Sequence, residues 1–251
     1  MQSTVIAAEQ IPPLEHEEAM RLALTEYQRL IELVEALAPE DFTRPTDCTG
    51  WDVAAVFGHL LGMMERNADR AEFARQSAAA GQRAAATGEL WIDALTALQV
   101  AEHAQLTPAQ LVEAVRRAAP LSLVARSQAT PEQRAITFNP GMPNGEEWTA
   151  GYLIDVIHTR DLWMHRVDIC RATGAELVLT AEHDGRVVAD VVAEWARRHG
   201  QPFTLVLDGP AGGSYTSGTD GPHLQLDAVQ FCRVLSGRGA ADGLLTQQVP
   251  F

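Results

Sequence analysis

The sequence predicts an α+β protein: a helical bundle over residues 1–175, followed by a small α+β domain over residues 176–251. Three observations carry this reading. Apolar residues return every three or four positions through most of the first 174 residues, the signature of amphipathic helices. Past Gly174 the character changes, with an alternating run at 203–207, glycine-rich turns, and a second alternating run at 223–226. Hydrophobic residues make up 46% of the 251-residue chain and are spread along it, which suits a protein with a buried core rather than a disordered one.

Taken in order, 14–37 reads as a long amphipathic helix with acidic residues crowding its first turn. Pro39 and Pro45 interrupt the pattern. Helical spacing resumes in "WDVAAVFGHLLGMMERNADRAEFARQ" (51–76), with Thr49 or Gly50 expected as N-cap and Asp52 near the positive helix end. A small-residue stretch at 81–88 separates it from a helix at 89–106. Thr107, Pro108 and Gln110 then form a capping-box arrangement ahead of the next helix. The loop "TFNPGMPNGEE" leads into a helix of about six turns over 148–173, closed by Gly174. In the second part, 179–199 reads as a helix with basic residues before Gly200, and 227–237 as a short helix with Asp227 near its start.

Charge and cysteine usage narrow the function. The formal net charge is −14, and all the basic residues are arginine, so an acidic polyelectrolyte such as nucleic acid, or an anionic membrane, is repelled on average. No window reaches the roughly 18 consecutive apolar residues of a membrane span. Cys48, Cys170 and Cys232 are odd in number and far apart. That argues against a disulfide framework or a thiolate zinc site and for a reducing compartment. With no basic, apolar leader in the first twenty residues, the expected location is cytoplasmic. The glycine-rich "DGPAGGSYTSGTDG" lacks the lysine and spacing of a phosphate-binding loop.

Chemistry concentrates in "HTRDLWMHRVD", 158–168. At 100° per residue, His158, Asp161 and His165 fall within an arc of about 60° on a stripe shared with Gly151, Ile154, Leu162 and Ile169. A lone histidine on an apolar face is ordinarily a hydrogen-bonded core residue. Here imidazole and carboxylate share one inward stripe, and the Asp161–His165 spacing of one turn lets both side chains reach a common atom. One nitrogen from another helix would complete a facial set of three with open positions for water or substrate. His59, among Val56, Leu60 and Met63, is the candidate. His183, His199 and His223 have no partners at ligand spacing, and His16 and His103 are expected on solvated faces.

At these residues the chain resembles a known family. "CTGWDVAAVFGHLLG" is similar to the first metal-histidine helix of DinB-like four-helix bundles, and more narrowly of the actinobacterial mycothiol-dependent maleylpyruvate isomerase type. "TRDLWMHRVDIC" resembles that group's segment carrying an acidic ligand and a second histidine. "LQLDAVQFCRVLSGRGAADGLLTQQVPF" is similar to the end of its small sterol-carrier-like C-terminal domain. The resemblance implies His59, Asp161 and His165 as metal ligands, with zinc the expected ion and nickel an alternative. It also implies mycothiol as thiol cofactor, and Arg238 as a catalytic residue. The acidic ligand in that family is glutamate. Asp161 is one methylene shorter, so the metal sits closer to this helix or His158 substitutes or lends support. The implied activity is a metal-dependent, thiol-using transferase or isomerase acting on a small electrophile. The alternatives are a non-catalytic metal-binding or stress-response protein of the same fold, and a metal-dependent hydrolase.

Overall fold

A computed structural model describes residues 5–141 and 145–251, and part of the 137–147 loop therefore lies outside the described residues. The chain is α+β and divides into two units, residues 16–175 and residues 1–15 with 176–251.

In the first unit, α1 (His16–Ala36) carries Glu17 and Glu18 in its first turn and buries Ala19, Ala23, Tyr27, Leu30 and Val34, the spacing that gives a helix one apolar stripe. α2 (Val53–Ala68) is capped by Asp52, whose Oδ1 accepts from the Ala55 N–H at 2.8 Å. The cap is therefore Asp52 itself, two or three residues later than the expected Gly50 or Thr49. A single helix was expected over 51–76, but Asp69 breaks it. Its backbone is extended, and its carboxylate accepts from Ala71 N–H to start α3 (Arg70–Thr87). Conversely, the small-residue stretch is helical up to Gly88, which closes α3 at φ 77°. α4 (Trp91–His103) folds back on α3 and α2, and α5 (Pro108–Ser127) begins with the expected Thr107–Gln110 capping box. α1, α2, α5 and α8 (His158–Thr173) are the bundle helices that pack together.

The segment before α8 departs from simple periodicity. The short helices α6 (Pro131–Arg134) and α7 (Ala150–Tyr152) flank a two-stranded ladder, β2 (Thr137–Phe138) with β3 (Trp148–Thr149). Leu153–Ile157 then forms a π-helical turn. A π turn inserts one residue into the helical register. The stripe drawn at 100° per residue thus fails upstream of His158, and it is Asp155, not Ile154, that is buried. His16 Nδ1–H donates to Asp155 Oδ1 at 2.7 Å and Arg134 Nη1 to Oδ2 at 3.0 Å, so His16 does not sit on a solvated face.

Further along, Glu26 on α1 meets Arg166 on α8 in a bidentate pair, with Nε and Nη2 each 2.9 Å from a carboxylate oxygen and both side chains out of water. The opposing charges tie two bundle helices together in the core.

In the second unit the sheet order is β1-β5-β4-β6. β4 (Phe203–Asp208) runs antiparallel to β5 (Gly213–Ser217) and parallel to β6 (His223–Asp227). β1 (Val5–Ala7) pairs parallel with β5, so the N-terminal residues, expected as the start of the bundle, belong with 176–251. Phe203, Leu205 and Leu207 alternate inward, and Trp195 of α9 (Asp184–His199) packs against Phe203 and against Phe231 of α10 (Ala228–Leu235). Among the described residues no helix is long and apolar enough to cross a membrane.

Candidate metal centre

His59 sits mid-way along α2, and Asp161 and His165 lie one turn apart on α8. The bundle brings the three together: Asp161 Oδ1 is 3.4 Å from His59 Nε2 and 3.3 Å from His165 Nε2. Both imidazoles are buried, and Trp51 lies against both rings, its centroid 5.4 Å from His59 and 6.1 Å from His165. The three donor atoms lie within 4.8 Å of one another.

What distinguishes this cluster from a pair of core histidines is where the other ring nitrogens go. Glu72, held at about 2 first by its hydrogen bond from Arg75, is a carboxylate and only accepts. Gln76 Nε2 donates to it at 2.8 Å and to the Gly62 carbonyl at 3.1 Å, which leaves Gln76 Oε1 to accept from Gln99 Nε2 at 3.0 Å. Gln99 Oε1 is thereby the acceptor facing His59 Nδ1 at 2.8 Å, so that nitrogen carries the proton. The polarity of two fully buried amides sets a histidine tautomer. On the other side, His165 Nδ1–H donates to Asp168 Oδ2 at 3.0 Å, and the Cys48 thiol donates to the same oxygen at 3.3 Å.

With both Nδ1 atoms committed, two Nε2 atoms converge on one carboxylate oxygen. Neutral imidazoles would turn lone pairs toward an anion there, so the arrangement calls for positive charge at the point of convergence. Electrostatics agrees. Burial opposes charge on His165, yet Asp161 and the hydrogen bonds to Asp161 and Asp168 hold its imidazole well above the ordinary histidine range. Burial likewise opposes ionisation of Asp161, but the two histidines hold its carboxyl well below the usual range. A proton serves this purpose, and so would a divalent cation held by two imidazole nitrogens and one carboxylate oxygen; each imidazole is backed by a hydrogen-bond acceptor as metal-bound histidines generally are.

Two glycines make the backing possible. A Cβ on Gly62 would fall 2.6 Å from Gln99 Cγ, and one on Gly58 would fall 3.2 Å from His103 Cβ. The "GHLLG" spacing puts both glycines on the α2 face that receives α4, and so lets Gln99 reach His59.

The other expected residues fall elsewhere. His158 lies outside the cluster, because one turn before Asp161 its ring meets Asn67, whose Nδ2 donates to His158 Nδ1 at 3.3 Å. Burial first, then the charges of Arg126 and Arg66, hold it well below the ordinary histidine range. Arg238 lies in the second unit, half-buried in the turn after α10, where its carbonyl accepts from Arg233 at 3.3 Å. His103, expected on a solvated face, is largely buried, with Nδ1–H donating to the Gln99 carbonyl at 2.7 Å. Sequence reasoning missed Gln76, Gln99, Cys48 and Asp168. For Asp168 there was a local signal, since a carboxylate three residues after a histidine on a helix can reach its ring. A second overlapping set, Cys48, His165 and Asp168, also brings metal-type donors together.

Comparison with known proteins places the fold. Residues 23–170 match the family model for the mycothiol maleylpyruvate isomerase N-terminal domain. A crystal structure of the mycothiol-dependent maleylpyruvate isomerase superposes with a TM-score of 0.59 at 18% identity, covering 94% of this chain and 95% of that one. One of a histidine-to-alanine mutant of that enzyme superposes with a TM-score of 0.59 at 16% identity, covering 90% of each chain. At such identities the likeness is one of fold. No curated protein matches the chain.

Proposed function

Since the chain belongs to the mycothiol maleylpyruvate isomerase family through its N-terminal domain, we propose that it is a metal-dependent enzyme that uses a low-molecular-weight thiol, mycothiol, to isomerise or modify a small electrophilic substrate. The observation that carries this reading is the convergence of two histidine Nε2 atoms on one oxygen of Asp161, with both Nδ1 atoms already occupied.

In this proposal His59, Asp161 and His165 hold the ion. A bound divalent cation supplies the positive charge that keeps a thiol deprotonated, and so nucleophilic, at neutral pH. The chain supplies orientation and dryness. Gln99 and Asp168 fix which nitrogen each histidine presents, Trp51 covers both rings, and the surrounding apolar helices limit water. Arg238 is retained, on the resemblance alone, as the residue that acts on the substrate. Zinc is the proposed ion and nickel the alternative, because imidazole and carboxylate suit both.

The test is calorimetric. Mycothiol added to zinc-loaded protein is expected to bind saturably, and to bind far more weakly after the metal is stripped. No binding to either form would remove the thiol from the account and leave the hydrolytic or non-catalytic alternatives.

The buried glutamine relay gives a second expected result. Gln99→Leu removes the acceptor behind His59 and strands the Gln76 carbonyl oxygen, so zinc affinity should fall by about 10–100-fold in chelator competition. Destabilisation of about 1–3 kcal/mol should accompany it. Unchanged zinc affinity would show that the tautomer is not set by this relay.

A further inference from the structure

A cavity in the first unit lies apart from the three proposed ligands. Its volume is about 760 Å³, within the range of small-molecule sites, and its walls come from α2, α3, α5, the β2 segment and the π turn. None of His59, Asp161 or His165 lines it; His158 and Asn67 do. The walls are apolar and aromatic, with Phe73, Trp91, Ile136, Phe138 and Leu153 prominent, but Arg66, Arg70 and Arg126 also face in. Among the described lining residues there is no carboxylate. In a chain of net charge −14 this is a local reversal of sign.

Among the described residues, Arg66 and Arg126 are held by neutral groups. Arg126 donates to the Ile154 carbonyl, Thr159 Oγ1 and the Tyr27 hydroxyl. Arg66 is 8% exposed, donates through Nη2 to Ser77 Oγ at 3.1 Å, and stacks 3.8 Å over the Phe73 ring. Its Nε is buried with no partner. An unpaired buried donor is costly, and a cavity lined by three arginines and no carboxylate gains most from an anion. Burial alone lowers Arg66 to about 10, which still leaves it charged at neutral pH.

We propose that this cavity binds an amphipathic organic anion, a single carboxylate on a flat apolar body, with the carboxylate on Arg66 and Arg70 and the body between Phe73, Trp91 and Leu153. The inference does not rest on the metal.

The probe is 2-naphthoate, titrated calorimetrically into metal-stripped protein, with 2-naphthylmethanol as the neutral counterpart and inorganic phosphate as the bare anion. Naphthoate should bind saturably, and at least about tenfold more tightly than the alcohol or phosphate, as loss of a charge-assisted hydrogen bond implies. Arg66→Gln should weaken naphthoate by about tenfold or more, and Arg70→Gln, at an exposed position, by several-fold without affecting folding. Ala125→Trp, which puts an indole into the cavity beside Arg126, should weaken naphthoate by about tenfold or more. Equal affinity for acid and alcohol, phosphate as good as naphthoate, or binding unchanged in Arg70→Gln and Ala125→Trp would each overturn the proposal. So would no saturable binding at all.

Discussion

His165→Ala is expected to reduce bound zinc from about one per chain to near none, with the helical circular dichroism signal retained. The residue stands in both of the overlapping donor sets at this centre, so this variant alone does not say which of the two holds the ion. His59→Ala and Cys48→Ser separate them. If the triad is right, His59→Ala removes the metal as completely as His165→Ala, while Cys48→Ser leaves it, because the thiol sits on the Nδ1 side of His165, 3.8 Å from that nitrogen and 3.3 Å from Asp168 Oδ2, and not among the three donors. The opposite pattern would move the ion to the Cys48 side. Elemental analysis of the purified proteins reads the result directly.

The largest expected effect on stability belongs to the Glu26–Arg166 pair, whose arginine follows His165 on α8. Glu26→Ala leaves the Arg166 guanidinium in the core without its bidentate carboxylate. Stranding one member of a buried pair costs about 3–5 kcal/mol. That is a large share of the roughly 5–15 kcal/mol by which a domain is stable, so the urea midpoint should fall steeply. The exposed Arg21–Glu17 pair on the same helix is the control. Glu17→Ala should hardly move the midpoint, since a solvated pair is screened. A Glu26→Ala midpoint as high as that of Glu17→Ala would show that the buried pair does not tie α1 to α8.

Much of the architecture is written in local pattern. α1 follows from apolar residues at helical spacing, α5 from the Thr107–Gln110 capping box, and the end of α8 from Gly174 in the left-handed conformation. Asp69 was harder to read, because a single aspartate inside an unbroken periodic run becomes a helix boundary only when its carboxylate turns back to cap. The π turn before His158 leaves no periodic mark, since the inserted residue is accommodated by Asp155 bonding to His16 and Arg134, contacts far away in the sequence. β1 is three residues long, and β5 is made of glycine, serine, threonine and tyrosine, so neither shows an apolar alternation.

The site divides in the same way. Asp161 and His165 share one turn of helix and were visible together, and His59 was legible as a second inward histidine. The parts that set their chemistry were not. Gln76 and Gln99 look like ordinary polar residues on their own helices; only the approach of α4 to the glycine face of α2 turns them into a relay ending on His59. Their role comes from tertiary packing, which no spacing along one helix encodes.

The central claim is that His59, Asp161 and His165 hold one divalent metal ion. Titrating zinc into metal-stripped wild-type protein, with Asp161→Ala alongside, tests it most directly. The account predicts about one tightly bound zinc per wild-type chain and loss of that binding in Asp161→Ala. A wild-type protein that binds no zinc or nickel, or an Asp161→Ala variant that binds zinc as well as wild type, would contradict it.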